Sequence, residues 1–138
     1  MNWSGNRPGP PIGCRKWPEN NLAGTKGKET LMNDPYFYTE DIQRLITEIP
    51  SDSIISRTYF ENEQVKAILF GFAPGQELSE HTASKPAILH FLEGEADLSL
   101  GMEVKTAATG TWVYMEPRLP HSIFAKTKVV MLLILLPN

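Results

Sequence analysis

The sequence predicts an all-β barrel preceded by one short α-helix. Three observations carry that prediction. From Ile54 onward, short runs rich in β-branched and aromatic residues alternate with turn signals. One segment alone, near residues 39–49, has a helical apolar period. The run Val129 to Leu136 is apolar at every position, as expected of a strand covered on both faces.

Residues 1–31 differ in kind from the rest of the chain. They hold four prolines (Pro8, Pro10, Pro11, Pro18) and five glycines, with almost no periodicity. Five basic residues (Arg7, Arg15, Lys16, Lys26, Lys28) against Glu19 and Glu29 give the segment +3, so the remaining 107 residues of this −3 chain carry −6. Such a segment buries too little apolar surface to offset its ordering entropy, which predicts a flexible basic tail. Met32 directly after it is a candidate translation start. The alternative is an arm that packs on a partner through Trp3, Ile12 and Trp17.

Residues 32–138 then form one domain, with a helix at about 39–49 and a barrel at about 54–137. Ile42, Leu45, Ile46 and Ile49 make one apolar helical stripe. Thr39 is placed to cap it, Glu40 and Asp41 suit its first turn, and Pro50 ends it. Strands are expected at 54–60, 64–72, 87–92, 95–100, 103–107, 111–115, 121–126 and 129–136. Glu61-Asn62-Glu63, Ala73-Pro74-Gly75, Glu93-Gly94, Gly101-Met102, Gly110 and Pro117 to Pro120 punctuate them. Short strands without interleaved helices argue against a doubly wound α/β fold.

The totals exclude several classes. At 138 residues, 41% hydrophobic and 21% charged, the chain is expected to be globular and to build one core. A net charge of −3 argues against non-specific nucleic-acid binding. The single cysteine, Cys14, forms no internal disulfide, so no oxidising compartment is called for. The longest apolar run has eight residues, too short to span a bilayer, and no apolar signal-peptide region opens the chain. A cytoplasmic protein without membrane contact is the default expectation. No Gly-rich phosphate loop, G-x-S-x-G elbow or CxxC is present.

The three histidines, His81, His90 and His121, fall within one stretch running from Gly75 to Ala125. His81 comes six positions after Gly75, Gly94 closes the same segment, and His121 comes eleven after Gly110. These spacings resemble the two motifs of the cupin family, the double-stranded β-helix barrels, over roughly residues 56–137. The departures are as informative. Ala83 and Ala87 stand where the family has its second histidine and its glutamate. Glu116, Arg118 and Ala125 replace the proline, glycine and asparagine of the second motif.

The resemblance implies a homodimer and a barrel pocket for a small organic molecule. It also implies one divalent transition metal (Zn, Fe, Ni, Mn or Cu) on His81 and His121. The third candidate ligand is His90. Counting back from Gly94 turns His90 outward, and a bulge at Lys85-Pro86 would turn it inward. Glu77, Glu80, Ser84, Tyr114 and Glu116 are further possible donors. Leu89, Phe91, Trp112 and Ile123 are the expected apolar pocket residues, with Arg118 at the rim to meet an anionic group.

Three functions stay open on these residues: a metal-dependent dioxygenase, isomerase or decarboxylase, a metal-free binding or sensing barrel, and a dimeric scaffold.

Overall fold

The computed structural model describes residues 34–138. The tail expected at 1–31 lies outside the described residues. The stretch 34–40 carries no helix or strand and belongs to a unit distinct from Asp41–Asn138. The second unit holds every strand of the described residues: β1 (Ile54–Glu61), β2 (Lys66–Phe72), β3 (Glu77–His81), β4 (Ala87–Glu93), β5 (Ala96–Leu100), β6 (Glu103–Ala107), β7 (Trp112–Met115), β8 (His121–Ala125) and β9 (Val129–Leu135).

The strands form two antiparallel sheets, ordered β1-β2-β9-β4-β7 and β3-β8-β5-β6. Alternation along each strand decides which side chains meet between them. On β4, Ala87, Leu89 and Phe91 are buried while Ile88, His90 and Leu92 are not. On β8, His121, Ile123 and Ala125 are buried. Ala96 and Leu98 of β5 and Val129 and Met131 of β9 complete the same core. His121 is the buried polar side chain among the described residues.

β9 lies at the centre of its sheet, between β2 and β4. Met131 pairs with Phe70 on one side and Phe91 on the other. Val129, Val130 and Met131 are all buried, as a strand covered on both faces should be, whereas Leu132 to Leu136 are half-buried.

Two expectations need correction. The helix at 39–49 is a single 3-10 turn, Ile42–Leu45. Its cap is Asp41 rather than Thr39, with the Asp41 carboxylate accepting from Gln43 N–H at 3.1 Å. Ile46 is already extended, and Ile46 and Ile49 pack near Gly71 of β2. The apolar spacing is therefore real, but β-branched residues in an extended segment satisfy it.

β3 is not among the strands that the sequence predicts. Gln76 to His81 offers one apolar residue, Leu78, because β3 is the exposed edge of the smaller sheet and, among the described residues, pairs only with β8. Among the described residues no helix is long and apolar enough to cross a membrane.

Candidate functional site

The chemistry-bearing groups gather where β3 and β8 pair. Leu78 is opposite Ile123 and His81 is opposite His121, so three steps along β3 match two along β8. An extra residue of this kind reverses side-chain parity. Leu78 packs against the core, and regular alternation would then send His81 to the other face. The bulge instead brings it beside His121, with ring centroids 4.3 Å apart and planes tilted by 58°.

Both rings are fixed the same way. His81 Nδ1 lies 2.8 Å from the Ser79 carbonyl, and His121 Nδ1 lies 2.8 Å from the Leu119 carbonyl. A carbonyl oxygen only accepts, so each Nδ1 carries the proton and donates it. In the neutral rings both Nε2 atoms are then left as acceptors. His121 is 7% exposed, whereas His81 is exposed.

Burial holds the His121 imidazole below the usual histidine range. The bond to the Leu119 carbonyl works against that, and the neighbouring His81 lowers it further. The unfolded chain therefore takes up this proton more readily than the folded one. The stabilisation is fully present above about pH 6.5 and fades as pH falls toward the folded value. Urea midpoints measured from pH 8 to 5 should decline below that pH, and His121→Leu should flatten the decline. An unchanged slope in the variant would assign the acid sensitivity to other groups.

The turn before β8 carries a second feature. Arg118 has φ 64°, a left-handed backbone. Its N–H donates to the Ala83 carbonyl at 2.7 Å, tying this turn to the segment just beyond His81. Pro120 O accepts from Gly101 N–H at 2.8 Å. A left-handed conformation costs an L-residue about 1–2 kcal/mol, while glycine costs roughly 0.5–1 kcal/mol in chain entropy. Arg118→Gly should therefore stabilise the protein by about 0.5–1 kcal/mol in denaturant titrations. A loss of stability would mean that the side chain makes contacts of greater worth than the strain.

The remaining expected site residues fall in three places. Leu89, Phe91 and Ile123 are no more than 2% exposed and belong to the continuous core. Their side chains pack in that core together with Ala125 and Met131. His90 pairs with Leu132 and Trp112, on the sheet face opposite Leu89 and Phe91. β4 runs in regular register with β9 from Ala87 to Phe91, so no bulge at Lys85-Pro86 turns His90 inward. Trp112 shares that outer row at 57% exposure, and its neighbour Val113 packs on the core instead. Arg118 is in its turn before β8, exposed.

Among the described residues no group of three or more His, Cys, Asp or Glu side chains converges to hold a metal ion. The motif positions beside the histidine pair are occupied by Ala83 and Ala87, which bring no donor atom. Two imidazoles fall short of the three protein ligands usual at a catalytic zinc site. The residues present do not fit a complete metal shell.

No protein-family model and no curated protein matches the sequence. Solved structures do match. A cupin superfamily protein of Desulfitobacterium hafniense superposes with a TM-score of 0.68 at 24% identity, covering 77% of this chain and 96% of that one. A conserved Streptococcus pyogenes protein of unknown function gives 0.66 at 24% identity, covering 77% and 92%. An RmlC-like cupin of Shewanella frigidimarina gives 0.61 at 18% identity, covering 77% and 93%.

Proposed function

We propose, from the premise that this chain has the cupin fold, that it binds a small organic molecule at the barrel mouth beside His81 and His121. One observation carries the reading: two adjacent imidazoles, each with Nδ1 tied to a backbone carbonyl, leave an Nε2 acceptor on each of two neighbouring rings. Hydrogen-bond donors on a ligand would answer them. Leu100, which pairs with His121, and the half-buried Leu119 supply apolar surface nearby. A few placed polar groups against apolar walls are the usual makeup of a small-molecule site.

Thermal-shift screening of small organic molecules tests this. Ligands should raise the Tm of the wild-type protein and fail to raise that of His81→Ala. His81 is exposed, so this variant spares the core. Shifts that persist in the variant would place binding elsewhere.

A second reading has its own support. A ring nitrogen bonded to a carbonyl is also how metal-ligating histidines are oriented. A metal held by His81 and His121 with outside ligands would appear as about one transition metal per chain by elemental analysis, absent from His81→Ala.

The outer face of the five-stranded sheet suits a second copy of the chain. It presents Leu132, Ile134 and Ile88 with the exposed Trp112 and Tyr114. Light scattering at micromolar concentration should give twice the monomer mass.

A further inference from the structure

We infer that the ligand is a small hydroxy acid, its carboxylate held by Arg118 and its hydroxyl donated to the His81–His121 pair. This rests on the binding reading above and names the chemistry of that site.

The histidine pair itself limits what it can hold. Neutral imidazoles with Nδ1 committed to Ser79 and Leu119 carbonyls present lone pairs at Nε2. Lone pairs repel a carboxylate and accept from O–H or N–H. A ligand held here therefore needs a donor, and any anionic group must be met by something else.

Arg118 is placed to meet it. Its backbone N–H bonds Ala83, two residues beyond His81, and three residues later the same chain enters β8 at His121. A long arginine side chain rooted between the two histidine segments can reach the group they hold. Its guanidinium is also uncommitted. Of the described arginines, Arg44 lies 3.8 Å from the Asp41 carboxylate and Arg57 donates to the Leu45 carbonyl. Lys105, Lys126 and Lys128 each face a carboxylate, on Glu103, Asp97 and Glu93. Among the described residues Arg118 makes no ion pair or side-chain hydrogen bond, although Glu116 shares its turn. The planar guanidinium fork suits a carboxylate in two-point contact.

The backbone adds an independent reason. Arg118 sits in a left-handed conformation that glycine would adopt without strain. An arginine kept at a strained position beside the candidate site points to a use for its side chain.

The test uses the full chain and three hydroxy acids of increasing apolar bulk: lactate, 3-hydroxybutyrate and mandelate. Each is compared with its amide, which lacks the charge, and with its deoxy analogue, which lacks the hydroxyl. Affinity is read by calorimetry, and contact at the site by NMR of the imidazole nitrogens of His81 and His121.

At least one acid should bind and shift both imidazoles, with its amide and its deoxy analogue each at least tenfold weaker. Arg118→Ala and Arg118→Gly should weaken the acid about tenfold and leave the amide unchanged, and Arg118→Lys should weaken it less. The glycine variant separates the charge from the strain.

Acid and amide binding equally, or an acid indifferent to Arg118→Ala, would overturn the carboxylate assignment while the binding reading stood. A deoxy analogue as tight as its parent would overturn the hydroxyl assignment. No imidazole shift with any compound would overturn the hydroxy-acid inference, while the thermal-shift screen against His81→Ala still decides the binding reading beneath it.

Discussion

Gly94→Ala should destabilise the protein by more than about 3 kcal/mol and lower its Tm by roughly 12 °C or more. Gly94 lies between β4 and β5 with φ 94°, where an L-residue is strained. The larger obstacle is space. A Cβ there would fall on the Lys128 carbonyl oxygen, with the carbonyl carbon at 2.9 Å and Thr127 Oγ1 at 3.0 Å. These are backbone and tied side-chain atoms. Thr127 Oγ1 donates to the Lys128 carbonyl at 2.9 Å and accepts from Glu95 N–H at 3.0 Å. Lys126 N–H donates to the Glu95 carbonyl at 2.9 Å.

The two turns that meet here, β4 to β5 and β8 to β9, both carry the chain from one sheet to the other. Forcing them apart strains both crossings at once. Gly110→Ala is the control, because φ is 97° there but no atom lies within 4 Å of the added Cβ. It should cost only the backbone term, about 1–3 kcal/mol. Equal losses in the two variants, measured by chemical denaturation, would show that the contact at Gly94 relaxes freely.

That contact marks a limit of what a sequence discloses. Glu93-Gly94 is readable as a turn, but its closeness to Lys128 depends on a second turn more than thirty residues away. Strands β4, β5, β8 and β9 are legible because buried and exposed positions alternate or run together. β3 is not, because an edge strand with a single apolar residue resembles a loop.

The helix at 39–49 shows the converse. An apolar period says which residues seek cover, and an extended segment lying near Gly71 supplies that cover equally well. At the site, spacing brings His81 and His121 to one region, and parity counted from Gly94 turns His90 away. The bulge that puts His81 beside His121 leaves no compositional trace. The left-handed backbone of Arg118 is equally hidden, since arginine is not the residue that announces such a turn.

Phe91→Ala should cost about 3–5 kcal/mol, and the size of the loss decides what the barrel interior is. Phe91 lies on β4 opposite Met131 and is fully buried. Its backbone is held too, with N–H donating to the Thr111 carbonyl at 2.9 Å and carbonyl accepting from Gly110 N–H at 2.8 Å. The main chain cannot readily close over a missing ring, so the cavity term adds to the lost transfer energy. Phe91→Leu keeps most of the apolar volume and should cost less than about 1.5 kcal/mol.

A large gap between the two variants identifies a packed interior and confines ligands to the mouth beside His81 and His121. If Phe91→Ala instead cost under about 1 kcal/mol, the ring would face an already open space, as a residue lining a pocket does. Phe91 would then belong to the binding site, and ligands would reach deeper than the histidine pair. Equilibrium urea denaturation of the two variants separates these outcomes, because a difference of about 2 kcal/mol is roughly thirtyfold in the folding equilibrium constant.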